Sequence, residues 1–217
     1  MSNFDKKESI LKKIKSQLQD KTSMPYPELV KNKKEYFKNI KPEEQLNTFK
    51  LAFEALGGIF FTIDNYKSLA NYLIQLKEEN NWNKIVCAPK DIFHFLLEEK
   101  LDFIREPTND YSRANSDAVI TICEGAVART GSFLFSSAMN KGRTSTILYP
   151  NHIVILQKGQ IYNDLSHALL FLENKYNNNI PSMLNITTGS SNNYNKTHPK
   201  LQGKLGPQQL FCIYIQN

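Results

Sequence analysis

The chain has 217 residues, enough for one domain with a substantial core, and its 41% apolar and 22% charged residues are typical of a soluble globular protein. Its nine glycines and nine prolines exclude a low-complexity protein. Its net charge of +6 is concentrated in the lysine-rich first 41 residues. This pattern favours a solvated basic helix face over a polyanion-binding surface, so nucleic acid is not expected as a partner.

Neither a membrane span nor a bound metal is expected. No apolar run approaches ~18 residues, and the first residues lack the apolar core of a secretory signal, so we expect a cytoplasmic protein. Cys87, Cys123 and Cys212 each lie inside an apolar run, and none has C-x-x-C spacing. We interpret them as buried side chains in a reducing compartment and predict no metal or cofactor on this chain.

The sequence pattern divides the chain into a helical N-terminal arm and an α/β domain, which we place at residues 1–40 and 41–217. Apolar residues at helical spacing predict an amphipathic helix over 4–18 with a basic outer face. Two prolines within 22–29 then interrupt the helical pattern.

The domain itself begins with a predicted helix over 43–56, since Pro42 suits a helix start and Gly57-Gly58 suits a helix end. Short apolar runs then alternate with amphipathic stretches, which favours parallel strand pairing with right-handed crossovers. The predicted fold is therefore α/β, a mostly parallel twisted sheet with helices on both faces. The predicted strands are 59–63, 84–88, 101–104, 118–123, 133–135, 153–156, 183–186 and 209–215, and the further predicted helices are 65–79, 91–100 and 161–176.

Two loops rich in small and hydroxyl residues stand out between the strands of residues 117–152. Thr130-Gly131-Ser132 is either a tight turn between two strands or a set of donors for a phosphate, carboxylate or acyl oxygen. Gly142-Arg143-Thr144-Ser145 is suited to bidentate capture of an anion by the arginine, or is a surface hairpin. The spacing of a Walker phosphate-binding loop is absent.

A third loop of the same kind, Thr188-Gly189-Ser190, follows the predicted strand over 183–186. If the sheet is parallel, this loop lies on the same edge as the loop after Cys123. The convergence of these hydroxyl- and glycine-bearing loops predicts one anion-holding crevice, with Arg143 facing the bound group.

Two titratable residues flank the central strands. Glu124 follows a strand that should be buried, where it is either an exposed turn residue or a nucleophile or base with a raised pKa. His152 begins the next long strand, where it is either a packed structural residue or one that orients a loop or shuttles a proton.

At these residues the chain resembles the LUD-domain family, typified by lactate utilisation protein C. The matching motifs, in order, are DAVIT, AVARTGS, the K-G-R-x-S loop, P-x-H-I-V-I-L, x-T-G-S-S and L-G-P-Q-Q-L-F-C-I-Y-I, and they cover roughly residues 40–217. The resemblance implies the fold shared by ribose-phosphate isomerases, glucosamine-phosphate deaminases and CoA transferases. The resemblance implies that the T-G-S turn of the family corresponds to Thr130, Gly131 and Ser132. It also implies that the G-R-x-S loop corresponds to Gly142, Arg143 and Ser145, and that the histidine before the strand corresponds to His152.

The chain departs from the family pattern at two places. Arg129 stands where the family commonly has an acid before T-G, and the family's T-A-D-I-E continuation after the second T-G has no counterpart after Ser191. The resemblance implies an accessory subunit of an L-lactate-oxidising system that holds a small anionic ligand or docks partners carrying iron–sulfur clusters. The alternatives are a stand-alone enzyme acting on a sugar phosphate or acyl-CoA through Glu124, and a binding or regulatory module without chemistry.

Overall fold

The computed structural model describes residues 3–19, 37–107, 116–140, 145–177, 179–190 and 206–216. Contacts divide the chain into two compact units, Met1–Lys38 and Asn39–Asn217. In the first unit, helix α1 spans Asn3–Gln19 and exposes the apolar side chains of Ile10, Leu11 and Ile14. The predicted N-terminal helix is thus confirmed.

The second unit is built on a six-stranded sheet in which all neighbouring strands are parallel. Its order is β1-β10-β7-β4-β2-β3. The strands are β1 (Ile59–Ile63), β2 (Ile85–Cys87), β3 (Ile104–Arg105), β4 (Ala118–Ile122), β7 (Asn151–Gln157) and β10 (Gln209–Ile215). The predicted parallel α/β sheet is confirmed.

A second sheet of four strands, in the order β8-β5-β6-β9, accompanies the first. Its strands β5 and β6 form an antiparallel hairpin, β9 pairs antiparallel with β6, and β8 pairs parallel with β5. These strands are β5 (Gly125–Val127), β6 (Ser132–Ser136), β8 (Ile161–Tyr162) and β9 (Leu184–Thr188). The expectation that the loop after 183–186 shares a parallel edge with Glu124 is therefore wrong, because β9 belongs to this other sheet.

Helices and the second sheet cover the two faces of the six-stranded sheet. The helices of this unit are α2 (Pro42–Ala55), α3 (Tyr66–Glu79), α4 (Lys90–Glu98) and α5 (Leu165–Tyr176). Helices α3 and α4 bury Leu69, Leu73 and Leu96 in the core on one face. On the other face, α2 and the four-stranded sheet enclose an aromatic core that includes Phe53 and Phe133.

Two details of the predicted helices change. In the helix predicted over 91–100, the apolar residue Leu97 is exposed and does not face the core, since the inward positions of α4 are taken by Ile92 and Leu96. The first two residues of the helix predicted over 161–176 form strand β8, and α5 begins after them with Asp164 as its cap.

Candidate functional site

The candidate site is centred on Glu124, a buried carboxylate between the two sheets. Glu124 follows β4 after one intervening residue, Cys123, and directly precedes β5. Its side chain is fully inaccessible to solvent. An acid at the carboxyl end of a central parallel strand occupies the position where open α/β sheets place reactive groups.

Three side chains from β6 and α5 converge on this carboxylate. The Lys175 ammonium donates to Glu124 Oε2 at 2.7 Å, and the hydroxyls of Ser136 and Tyr176 both donate to Oε1. Ser136 and Tyr176 also lie 3.3 Å apart through their hydroxyl oxygens. Because a buried carboxylate is costly without such donors, these contacts are what allow Glu124 to stay in the interior. We call Glu124, Ser136, Lys175 and Tyr176 the Glu124 cluster.

The cluster is positioned by the ends of regular elements. Lys175 and Tyr176 are the last two residues of α5, whose start is fixed by Asp164 accepting from the His167 backbone N–H. Ser136 is the last residue of β6, and the Glu124 backbone N–H donates to the Leu134 carbonyl of that strand at 2.7 Å. The site thus rests on rigid secondary structure, which favours a fixed geometry.

The cluster presents a cation, rather than the carboxylate, to solvent. The Lys175 side chain is 35% exposed, whereas that of Glu124 is not exposed at all. Burial and the hydrogen bond to Glu124 raise the pKa of Tyr176, so its hydroxyl stays protonated and remains a donor. Chemically, the cluster can hold an ammonium group fixed at the protein surface, where it can contact an anion.

The predicted T-G-S loop is the turn of the β5–β6 hairpin. The backbone N–H groups of Thr130 and Gly131 both donate to the Val127 carbonyl, at 3.3 and 3.0 Å. Gly131 has a φ of +62°, and a Cβ there would lie 2.5 Å from the Phe53 backbone nitrogen of α2. This geometry requires glycine at position 131. The turn also occupies the backbone N–H groups of Thr130 and Gly131, which an anion would need as donors.

Two hydroxyl loops do meet, by antiparallel pairing. Ser132 Oγ donates to Thr130 Oγ1 at 2.8 Å and lies 2.7 Å from Thr188 Oγ1. Gly189, with a φ of +70°, packs against Leu56 after the end of α2, and Ser190 lies beside the Gly57 turn. The carbonyl end of α2 carries partial negative charge, which would repel an anion. These contacts therefore indicate a structural role for the two loops rather than an anion-binding site. Anion binding by these residues stays a prediction.

The hydroxyl contacts of Ser132 and the Glu124 cluster lie at opposite ends of β6. Ser132 begins the strand and Ser136 ends it. At about 3.4 Å per residue, the two ends are separated by roughly 14 Å. The structure therefore divides the single crevice predicted from the sequence into two locations.

The arginine loop is described only at its two ends. Asn140 accepts from the Ile122 backbone N–H at 3.0 Å and donates to the Ile122 carbonyl at 2.8 Å, and Ser145 donates to the Asn140 carbonyl at 3.1 Å. Both ends are thus held beside the last residue of β4, two positions from Glu124. Gly142 and Arg143 lie outside the described residues, so their predicted role stays a prediction.

His152 is a completely buried residue of β7, inside the core between the two sheets. Its Nε2 lies 2.7 Å from Thr121 Oγ1, its ring packs 5.3 Å from that of Phe135, and its Nδ1 has no hydrogen-bond partner among the described residues. Burial lowers its pKa to about 3, so the imidazole is neutral at physiological pH. This environment suits a structural or loop-orienting residue.

Sequence reasoning identified Glu124 but missed its partners. Lys175 and Tyr176 lie 51 and 52 residues further along the chain, and Ser136 lies 12 residues away. Nothing in their local pattern points to the carboxylate, because the contacts depend on how α5 crosses the second sheet. The lysine-tyrosine pair at the end of α5 does not by itself indicate which residue it contacts.

The cysteines belong to the hydrophobic interior. Cys123 and Cys212 are fully buried in the core that faces the second sheet, and burial raises the pKa of both thiols, so both stay protonated. Among the described residues, no group of three or more His, Cys, Asp or Glu is arranged to hold a metal ion. Within the same residues, no helix is both long and apolar enough to cross a membrane.

Comparisons with known proteins identify the family. The family model of the LUD domain matches residues 6–215. The chain is also similar in structure to a DUF162 family protein from Deinococcus radiodurans, with 19% sequence identity and a TM-score of 0.64 over 81% of this chain and 99% of that one. A search of curated proteins finds no significant match. With a family match over nearly its whole length and the same fold as a solved structure, the chain belongs to the LUD domain family.

Proposed function

We propose that this LUD-domain chain is an accessory subunit of an L-lactate-oxidising system, holding a small carboxylate beside Lys175 and docking partners that carry iron–sulfur clusters. Family membership supports the link to lactate utilisation. The observation that carries the ligand part is the 2.7 Å bond by which the buried Glu124 holds the ammonium of the partly exposed Lys175 side chain in place.

A fixed ammonium is an effective contact for a carboxylate. Lysines on open surfaces lose side-chain entropy when they bind an anion, whereas Lys175 is already held by Glu124 and by the rings of Phe171 and Tyr176, 6.0 and 5.5 Å away. In this proposal Lys175 contacts the ligand and Glu124 is a positioning residue. Arg143 is the second cation we assign to the ligand, because its loop begins and ends beside the last residue of β4.

Calorimetric titration of the whole chain with L-lactate, pyruvate and inorganic phosphate tests the ligand. We expect L-lactate or pyruvate to bind, and replacement Lys175→Met to weaken binding by about 10- to 100-fold, as expected for a charged hydrogen bond. Lys77→Met is the matched control, since Lys77 also packs over a ring, that of Phe103 at 5.5 Å, but on α3. Equal binding by wild type and Lys175→Met contradicts the site, and binding of phosphate alone contradicts the ligand class.

Recovery of partners tests the subunit role separately. Affinity purification of the tagged chain from its source cells under anaerobic conditions should bring down proteins that contain iron and show the visible absorbance of iron–sulfur clusters. Recovery of the chain without such proteins, from cells grown on L-lactate, contradicts the subunit role. That outcome bears only on the subunit role, and the proposed ligand is tested separately by the titration.

A stand-alone enzyme is the second candidate, favoured by the location of Glu124 at the carboxyl end of β4. Such an enzyme would use Glu124 as base or nucleophile on a sugar phosphate or acyl-CoA. Both carboxylate oxygens already accept hydrogen bonds and the side chain has no solvent access, so a substrate would first have to displace these donors. Turnover by wild type that Glu124→Gln abolishes would favour the enzyme, and turnover that Glu124→Gln leaves unchanged would remove Glu124 as catalyst.

A further inference from the structure

The Lys175 ammonium has apolar neighbours in addition to the carboxylate that holds it. Glu124 Oε2 accepts a hydrogen bond from this ammonium at 2.7 Å. The Met139 sulfur lies 4.0 Å from the same nitrogen, and the ring centres of Phe171 and Tyr176 lie 6.0 and 5.5 Å from it. A ligand that contacts the exposed part of this ammonium therefore also meets a thioether and two aromatic rings.

Met139 lies on a short segment whose backbone is held on both sides. Before it, the Ser137 backbone N–H donates to the Met183 carbonyl at 3.1 Å. After it, the buried side-chain amide of Asn140 pairs with the N–H and C=O groups of Ile122 at 3.0 and 2.8 Å. Because these anchors fix the backbone, the partly buried Met139 side chain starts from a defined point beside Lys175.

The charge balance of the Glu124 cluster favours a ligand with one negative group. The Lys175 ammonium is already paired with the Glu124 carboxylate, and Ser136 and Tyr176 contribute neutral hydroxyls. One carboxylate can share the exposed part of the ammonium. A second carboxylate on the same small ligand would lie beside the Met139 thioether, which has no hydrogen to donate, so its desolvation would not be compensated.

We propose that Met139 determines the specificity of the carboxylate site by forming the apolar wall against which the side chain of the ligand packs. A carboxylate oxygen that accepts from the ammonium lies about 2.8 Å from it, so a methyl group of a small acid comes within reach of the sulfur. Methionine suits this contact because its unbranched, polarisable side chain adapts to small apolar groups. The inference rests on the proposed function and narrows the ligand class to monocarboxylates whose side chain is small and apolar.

Calorimetric titration of the full chain with acids that differ only in this side chain tests the wall. The probes are the 2-hydroxy acids glycolate, L-lactate and L-malate and the matching 2-oxo acids glyoxylate, pyruvate and oxaloacetate. In each series that binds, wild type should prefer the methyl-bearing acid over the shorter one by about fourfold, as expected for one buried methyl group, and should bind the dicarboxylate more weakly.

Substitutions at Met139 should change this order in opposite ways. Met139→Ala should bring the methyl-bearing acid to within about twofold of the shorter one, because the wall is removed. Met139→Lys supplies a partner for a second carboxylate and should make the dicarboxylate the tighter ligand. Met183→Ala is the matched control, since Met183 is also partly buried and pairs with the same segment, yet only through its backbone carbonyl.

NMR of wild type carrying 13C-methyl methionine provides a readout that does not depend on how the variants fold. The Met139 signal, identified by its loss in Met139→Leu, should shift when L-lactate or pyruvate is added, and the Met183 signal should shift less.

The outcomes separate this inference from the proposed function. If Lys175→Met weakens binding but Met139→Ala keeps the wild-type order, or the Met139 signal does not respond to a bound acid, the role of Met139 is overturned and the carboxylate site stands. Equal binding of all acids of a series by wild type has the same meaning. Failure of every acid to bind wild type overturns both.

Discussion

Stability at mildly acidic pH should depend on the buried imidazole of His152. His152 is completely buried, and burial lowers its pKa to about 3, whereas in the unfolded chain a histidine has a pKa of about 6.5. Between these two values the unfolded chain binds a proton that the folded chain does not. The free energy of unfolding therefore falls as pH is lowered through this range, and the contribution is restored as pH rises above it.

The size of the effect follows from these two values. Lowering pH from 7 to 5 protonates the unfolded histidine almost completely while the folded one stays neutral, so the chain should lose about 2 kcal/mol of stability from this residue. Replacement His152→Gln removes the titration but keeps a polar group beside Thr121, which lies 2.7 Å from the imidazole. The variant should therefore lose about 2 kcal/mol less than wild type over the same interval.

Urea unfolding at pH 7 and pH 5 measures the difference, with the single tryptophan, the buried Trp82, as fluorescent probe. Wild type and His152→Gln should diverge in their pH dependence and keep similar slopes against urea. If the two proteins lose the same stability on acidification, His152 is not the neutral buried group that its surroundings indicate.

Three further substitutions test local geometry. Gly131→Ala should destabilise the fold by more than Gly159→Ala in thermal unfolding, because both have positive φ but only Gly131 would bring a Cβ against the α2 backbone, and equal losses would contradict the close approach. Asp164→Ala should cost about 1 kcal/mol of stability, measured by chemical unfolding. Burial raises the pKa of Asp164, but hydrogen bonds at the start of α5 outweigh it and bring the pKa to about 2. This contribution should therefore shrink as pH falls from about 4 through 2, and a difference as large at pH 2 as at pH 7 would contradict it. Lys175→Met should cost about 1.5–3 kcal/mol in the same assay by removing the charged donor of Glu124, and a neutral effect would contradict the role of Lys175 in the cluster.

The main sheet could be predicted because its strands carry strong local signals. β7 and β10 are nearly continuous apolar runs that are buried on both faces. Helix α2 begins at Pro42 and ends just before Gly57, as these two residues predict. Glu124 was identified from the same kind of signal, since it follows an apolar run at the end of a predicted strand, where open α/β sheets place reactive groups. These features are encoded in neighbouring residues, which is why the sequence alone revealed them.

The second sheet and the cluster depend on contacts between distant residues. β5 has three residues and β8 has two, too short for any periodicity to reveal whether they pair with the main sheet or with each other. The direction of β9 follows from its pairing with β6, so its loop meets Ser132 rather than the edge near Glu124. Lys175 and Tyr176 could not be assigned to Glu124 before the crossing of α5 over the sheet was known.

The most direct measurement of the proposed function is the rate of L-lactate oxidation in extracts of source cells that lack this chain. Deletion should abolish the oxidation, and wild type supplied in trans should restore it. Glu124→Gln at the same protein level should restore it poorly, because a neutral amide holds the Lys175 ammonium, 2.7 Å away in the wild type, less firmly than the carboxylate does. Oxidation at the normal rate without the chain, or full restoration by Glu124→Gln, would contradict the account.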